Sequence, residues 1–136
     1  MGESADGAVA EKFVRTYLAK DWDSIRDQVT DRVRVRGLPP QFVQEALGPE
    51  GAIRLMSGWL KDGDQVDEIE ILEVESVPFK ERISVRYTAH SGDNPQRYLV
   101  EHHIFIQTDD DKVKKFDMGL LRMARNRRSI RPLASA

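Results

Sequence analysis

Two spacings of hydrophobic residues divide the chain into a helical first part and a strand-rich second part. Between residues 7 and 20, apolar side chains recur at intervals of three and four, which predicts an amphipathic helix. Asp21 is a suitable cap for a second, short helix that carries Ile25 on its buried side. Another helix is predicted over residues 50–61, with Pro49 in its first turn. A further helix is predicted after Pro39-Pro40, and its buried side would consist of Phe42, Val43, Ala46 and Leu47.

The remaining segments alternate apolar and polar residues, which is the pattern of half-buried β-strands. A short strand ends at Gly37, and the alternation covers everything after residue 66. A change of phase at Ile71-Leu72 predicts a β-bulge that bends its strand. Residues 98–121 predict a hairpin around the turn residues 108–111. Helices followed by a meander of antiparallel strands define the α+β class.

Length and charge narrow the kind of protein. The 136 residues are enough for one domain with a real core, and 40% of them are hydrophobic. A net charge of -2 creates no field that attracts nucleic acid, and no apolar run is long enough to span a membrane. The absence of cysteine excludes disulfides and fits a cytoplasmic protein. We expect a single domain over residues 1–121 and a basic, flexible tail over residues 122–136, which holds five arginines.

Several local motifs then resemble one known family. They are the corner Asp21-Trp22-Asp23 with Ile25, the strand over residues 32–37, the helix start over residues 48–53, and the segment Glu101-His102-His103-Ile104-Phe105. In this order they resemble the cone of the nuclear transport factor 2-like superfamily, which is a cystatin-like α+β fold, and within it the SnoaL-like (polyketide cyclase-like) branch. The resemblance covers residues 8–121. It implies a curved sheet that wraps around a pocket covered by helices.

The strand that begins at Tyr98 carries the candidate chemistry. Alternation places Glu101, His103 and Phe105 on one face, and the aliphatic residues around His102 on the other. The resemblance implies that the first set points into the cone. The second set, which comprises Val100, His102, Ile104 and Ile106, would line the outer face that relatives use to form homodimers. His103 would then be a general base supported by Glu101. The alternative interpretation is a buried polar pair without catalytic function.

The last strand would supply a third catalytic residue. The resemblance implies an Asp at this position, and Asp117 lies at a matching distance from the turn. With a symmetric loop His103 lies opposite Phe116, and Phe116 points inward with Met118. With one bulged residue Asp117 points inward instead, because a slip of one residue exchanges the two faces.

The expected function follows from these assignments. We expect a homodimer that binds a small, hydrophobic organic molecule in the cone, with cyclase-, isomerase- or dehydratase-like acid–base catalysis as the enzymatic possibility. The alternative is a non-catalytic ligand-binding or protein-interaction module of the same fold. We expect no cofactor, and no metal, because adjacent histidines on a strand point to opposite faces. The substrate pocket would be lined by Phe13, Tyr17, Phe42, Met56, Trp59, Phe105, Phe116 and Met118.

Overall fold

The fold consists of three helices on one side of a six-stranded sheet. A computed structural model describes residues 5–38 and 44–125. The helices are α1 (Ala5–Leu18), α2 (Trp22–Asp27) and α3 (Gly48–Trp59). The strands are β1 (Val29–Leu38), β2 (Gln44–Leu47), β3 (Asp64–Val77), β4 (Lys80–Ser91), β5 (Tyr98–Asp109) and β6 (Lys112–Arg125). The α+β class predicted from the sequence is confirmed.

Short local sequence signals mark the starts of the two later helices. The Asp21 side chain accepts a hydrogen bond from the Ser24 backbone N–H and so caps α2, as expected. The α3 helix carries Pro49 in its first turn, where a backbone N–H would have no acceptor within the helix, so proline loses no hydrogen bond there. It begins at Gly48, whose φ of 79° suits glycine.

The helix predicted after Pro39-Pro40 is wrong for its described part. Residues Gln44–Leu47 form β2, which pairs antiparallel with β1 from Gly37↔Gln44 to Arg34↔Leu47. Pairing with the open edge of β1 gives these backbone groups hydrogen bonds that four isolated residues could not make as a helix. Leu47 is 68% exposed, so it does not belong to a buried helical face. Phe42 and Val43 lie outside the described residues.

The strand order is β2-β1-β6-β5-β4-β3, with β1 parallel to β6 and all other neighbours antiparallel. The β3–β4 register shifts between Val66 and Glu68 and again between Ile69 and Ile71. These irregularities lie at and just before the predicted bulge, and they bend the strand. The strand β6 continues to Arg125, beyond the domain end predicted at Leu121, and residues 126–136 of the predicted tail lie outside the described part.

The core lies between α1 and the inner face of the sheet. The rings of Phe13 and Phe116 pack 5.4 Å apart, and Tyr17 lies 6.3 Å from Phe116. Phe13, Met56 and Phe116 are fully buried, and none of them lines the cleft described below. They were predicted as pocket walls, but close packing against one another makes them core residues.

The β5–β6 hairpin decides which side chains face the core. Its turn contains Asp110 and Asp111, both with positive φ, and one extra residue shifts the register between Gln107 and Thr108. Asp117 therefore lies opposite Phe105, and Phe116 lies opposite Ile106. The register with one bulged residue is the one observed, so Asp117 shares a face of the hairpin with His103. That face is the outer face of the sheet, however, and not the face towards the core.

Candidate ligand-binding site

The imidazole inside the fold belongs to His102, and that of His103 lies on the opposite face. His102 is 7% exposed, and its neighbours on the same face, Val100, Ile104 and Ile106, are buried. Glu101, His103 and Phe105 are half-buried on the outer face. The predicted orientation is therefore wrong by one residue, which reverses every side chain of the strand. The unbroken aliphatic set around His102 was the sequence signal for the core face.

The outer face holds the three residues predicted to be catalytic, far from any enclosed space. Asp117 forms a bidentate ion pair with Arg36, with N–O distances of 2.9 and 3.0 Å. Glu101 lies 3.9 Å from a guanidinium nitrogen of Arg86. The ammonium group of Lys80 lies 4.6 Å from the centre of the Phe105 ring. These contacts describe a charged sheet surface, so His103, Glu101 and Asp117 do not meet in the cleft.

The inner face opens into a cleft with two adjoining lobes. The His102 lobe has a volume of about 210 Å³ and is lined by Tyr17, Gly37, Gln44, Trp59, Tyr87, Val100, His102, Met118, Leu120 and Met123. The Asp64 lobe has a volume of about 200 Å³ and is lined by Trp59, Leu60, Asp64, Tyr87, Ala89, His90, Ser91, Tyr98, Val100 and Met123. A wider groove of about 510 Å³ runs along the solvent side of α1, but it lacks apolar walls that converge on a polar group.

Three of the predicted pocket residues do line this cleft, namely Tyr17, Trp59 and Met118. Phe105 lies on the outer face, and Phe42 lies outside the described residues. Sequence reasoning did not single out Tyr87, Gln44 or Asp64. Tyr87 could have been singled out from the sequence, because it is the one residue with a hydroxyl among the alternating positions Ile83, Val85, Tyr87 and Ala89.

A hydrogen-bonded Tyr–His pair forms the polar end of the His102 lobe. Tyr87 Oη lies 3.0 Å from His102 Nε2, and the bond joins the neighbouring strands β4 and β5. Burial lowers the pKa of His102 to about 4, an effect that the nearby Gly119 backbone opposes only partly. The Nδ1 atom of His102 is buried without a standard hydrogen bond to any described residue. At neutral pH His102 is therefore an uncharged imidazole.

Two further polar groups lie close to this pair. Burial raises the pKa of the Tyr17 hydroxyl well above its usual range, and the proximity of Tyr87 and Asp64 adds to the effect. Burial, followed by the charge of Asp64, raises the pKa of Tyr87 in the same direction. Both hydroxyls thus stay protonated and can act as hydrogen-bond donors. Asp64 is the first residue of β3, and its Oδ2 accepts a hydrogen bond from the Lys61 N–H at 3.1 Å, which holds the carboxylate in place.

The described residues offer little to a metal ion, and their helices are not of the kind that crosses a membrane. No group of three His, Asp or Glu side chains in the described ranges is arranged to hold a metal. His90 instead binds Asp67 through Nδ1 at 2.8 Å, and Asp67 also pairs with Arg97. No helix within residues 5–38 and 44–125 is long and apolar enough to cross a bilayer.

Comparison with known proteins identifies the fold. No protein-family model matches the sequence, and no curated protein matches it. A candidate isomerase from Bacillus subtilis is similar in structure, with a TM-score of 0.71 at 12% identity over 96% of this chain and 93% of the other. A candidate polyketide cyclase from Xanthomonas campestris pv. campestris has a TM-score of 0.68 at 10% identity, covering 85% and 89%. A nuclear transport factor 2-like protein from Mesorhizobium loti has a TM-score of 0.63 at 11% identity, covering 90% and 98%.

The three matches each extend over at least 85% of this chain, so they concern its whole arrangement of helices and sheet. The chain therefore has the nuclear transport factor 2-like fold, as the local motifs predicted. At these identities the similarity concerns the fold alone, because one fold supports many functions.

Proposed function

We propose that this protein binds a small, mostly apolar organic molecule in the cleft, and that the Tyr87–His102 pair contacts the one polar group of that molecule. The observation that carries the proposal is a buried, uncharged hydrogen-bonded pair at the end of a largely apolar lobe. Burying polar groups costs free energy unless their hydrogen bonds are made. Because the Tyr87–His102 pair faces a cavity, a ligand with one matching polar group could make the remaining hydrogen bond.

The pair favours a neutral carbonyl or hydroxyl group over a charged one. With Nε2 protonated, His102 donates to Tyr87 Oη, and the Tyr87 hydroxyl can donate to a ligand carbonyl. With Nδ1 protonated, Tyr87 donates to Nε2, and its oxygen can accept from a ligand hydroxyl. A ligand carboxylate would lie near the negative charge of Asp64, which acts on the Tyr87 hydroxyl.

The proposal is tested by following His102 by NMR during titration with 4-methylphenol and 4-methylcyclohexanone. We expect the His102 ring signals to shift, and we expect Tyr87→Phe to weaken binding about tenfold, the effect of about 1.4 kcal/mol. His103→Gln is the matched control, because its ring lies on the outer face, and it should leave the affinity unchanged. If neither compound binds and His102 is unperturbed, the pair is only part of the core and the proposal is wrong.

We also propose an acid–base reaction, on the separate observation that Asp64 lines the adjoining lobe near both tyrosine hydroxyls. The Asp64 carboxylate would take a proton from the carbon beside a ligand carbonyl while Tyr87 donates a hydrogen bond to the oxygen. If the ligand carries a carbon–carbon double bond next to that carbon, return of the proton to the far end of the double bond would give an isomer and restore the Asp64 carboxylate, as expected for an isomerase-like enzyme.

This reaction is testable as deuterium exchange beside the carbonyl of 4-methylcyclohexanone in D2O. Asp64→Asn should abolish the protein-dependent exchange and leave the dissociation constant within about twofold. Asp62→Asn, on the same loop, is the matched control and should exchange like the wild type. Ligand binding without exchange in the wild-type protein would favour the non-catalytic ligand-binding alternative.

The homodimer expected from the resemblance stays a proposal, with a corrected surface. The face lined by Val100 and His102 is in the core, so the outer face is the one around His103 and Phe105. Supporting this surface, α1 packs against the strands on the other side, and His103 and Phe105 remain half-exposed.

A further inference from the structure

Trp59 is the largest side chain at the boundary between the two lobes of the cleft. Four residues line both lobes, namely Trp59, Tyr87, Val100 and Met123. Tyr87 and Val100 are buried on adjacent strands and paired with each other, so their positions are set by the sheet. Met123 is 60% exposed, and Trp59 is half-buried at the last residue of α3. Trp59, which belongs to a helix and not to the sheet, is thus the large ring between the lobes.

The cross-strand pair Gly37 and Gln44 fixes the position of the Trp59 indole, which is called its seat below. A Cβ atom on Gly37 would lie 2.5 Å from an indole ring carbon, so the ring occupies the space that a side chain at position 37 would need. Trp59 Nε1 donates to Gln44 Oε1 at 2.9 Å. Gly37 and Gln44 are directly opposite each other in the β1–β2 ladder. Gly37 leaves space for the indole ring, and Gln44 accepts the hydrogen bond from its N–H.

We propose that Trp59, seated on Gly37 and held by Gln44, limits the length of the ligand and so determines the specificity of the cleft. This inference rests on the binding function proposed above. With the indole in its seat, the ring of a ligand that contacts the Tyr87–His102 pair is confined to the His102 lobe, and only the polar end beside Tyr87, which lines both lobes, faces Asp64.

The volume of that lobe indicates the size class of the ligand. About 210 Å³ is somewhat larger than an apolar cavity of roughly 150 Å³ that holds benzene. The favoured ligand is therefore one ring with small substituents. An elongated two-ring molecule would have to extend into the Asp64 lobe, and the indole stands in its path.

The experiment compares two phenols that share the polar group and differ in length, namely 4-methylphenol and 4-phenylphenol. Their dissociation constants are measured by calorimetry for the wild type and for Trp59→Ala. We expect the wild type to prefer the shorter compound. In Trp59→Ala the affinity ratio should move at least about tenfold towards 4-phenylphenol, because its second ring then leaves water.

Two further variants keep the inference testable if Trp59→Ala does not fold. Gln44→Leu removes the acceptor and keeps the indole, and Gly37→Ala forces the ring from its seat. Both should shift the ratio in the same direction as Trp59→Ala. The chain has two tryptophans, so a Trp22→Phe background makes Trp59 the sole tryptophan, and its emission should change in both variants. Leu55→Ala, a truncation on the same helix that lines neither lobe, is the matched control and should leave the ratio unchanged.

The possible failures are distinguishable. If both phenols bind the wild type but the ratio is the same in the Trp59, Gln44 and Gly37 variants, the inference is wrong and the binding function stands. If neither phenol binds any variant and the His102 signals do not respond, the proposed function is wrong, and this inference falls with it.

Discussion

His102 and His103 are adjacent in the chain and carry the same side chain, yet the sheet gives them different surroundings. His102 is buried beside Tyr87, whereas His103 lies across from Gly119 on the outer face. An imidazole in an apolar environment loses the hydration that stabilises its charged form. The two residues therefore differ through their surroundings, and the burial of His102 should be visible in how the stability of the protein depends on pH.

Acid should destabilise this protein through His102. The folded-state pKa of about 4 lies below the usual value of 6.5, so the unfolded chain binds a proton more readily than the folded chain. The free energy of unfolding should fall as the pH decreases from about 6.5 to about 4, by roughly 3 kcal/mol in total. The measurement is urea unfolding at several pH values. His102→Gln should have a flatter profile over this window.

The adjacent histidine supplies the control for this prediction. His103→Gln removes an imidazole from the outer face and should keep the wild-type pH profile. An unchanged profile in His102→Gln would mean that other groups cause the acid sensitivity.

At the level of secondary-structure elements, the sequence predicted most helices and strands but not how they face each other. The spacing of apolar residues is local information, so α1, α2, α3 and the β5–β6 hairpin were predictable. The unbroken aliphatic set around His102 did mark the core face of β5, and the predicted orientation was wrong because it followed the resemblance instead. Residues 44–47 form a strand because β1 offers partners 7 to 13 residues away in sequence, which local propensity does not register.

The two-residue turn of the β5–β6 hairpin can be improved. Asp110 and Asp111 adopt φ values of 50° and 66°, as a type I′ turn requires, and Asp is not the best residue for either position. Replacing them with Asn-Gly should increase the free energy of unfolding by about 0.5–1 kcal/mol, because Asn and Gly adopt positive φ readily and remove two adjacent negative charges. Urea unfolding measures the change. A Val-Val replacement is the control and should destabilise the protein, whereas equal stability in both variants would contradict the argument.

Lys20 connects the end of α1 to the loop that leads into β3. Its ammonium group donates to the backbone carbonyls of Lys61, Asp62 and Asp64 at 2.7, 3.0 and 2.6 Å. Lys20→Met keeps the length of the side chain but removes these charge-assisted bonds, and should cost about 1.5–3 kcal/mol.

The matched control for this change lies on α1 itself. Lys12 is exposed on that helix, so Lys12→Met should change the free energy of unfolding by less than about 0.5 kcal/mol. Because the loop carries Asp64, Lys20→Met should also reduce the deuterium exchange proposed above. If both lysine variants unfold at the same urea concentration, the three bonds do not stabilise the loop.

At the scale of the whole molecule, the described helices cover one face of the sheet and leave uncovered the other face, on which we propose that the dimer forms. The ion pairs of Arg36 with Asp117 and of Arg86 with Glu70 lie on either side of the central residues His103 and Phe105. An apolar ring surrounded by paired charges has the composition expected of an interface with a polar rim. If a second copy of the chain covers this surface, Phe105 is buried at its centre and is the residue whose change should matter most.

Phe105→Glu should therefore convert a dimer into a monomer, because a carboxylate at the centre of the interface would be desolvated without a partner. The measurement is sedimentation equilibrium at several protein concentrations. Phe79→Glu is the matched control, since Phe79 is 95% exposed at the tip of the β3–β4 turn and its replacement should leave the dimer intact. A wild-type protein that sediments as a monomer at every concentration would contradict the dimer, and a Phe105→Glu protein that remains dimeric would place the interface elsewhere. Neither result would affect the cleft, because its walls come from one chain, and the ligand and pH experiments would stand independently of the oligomeric state.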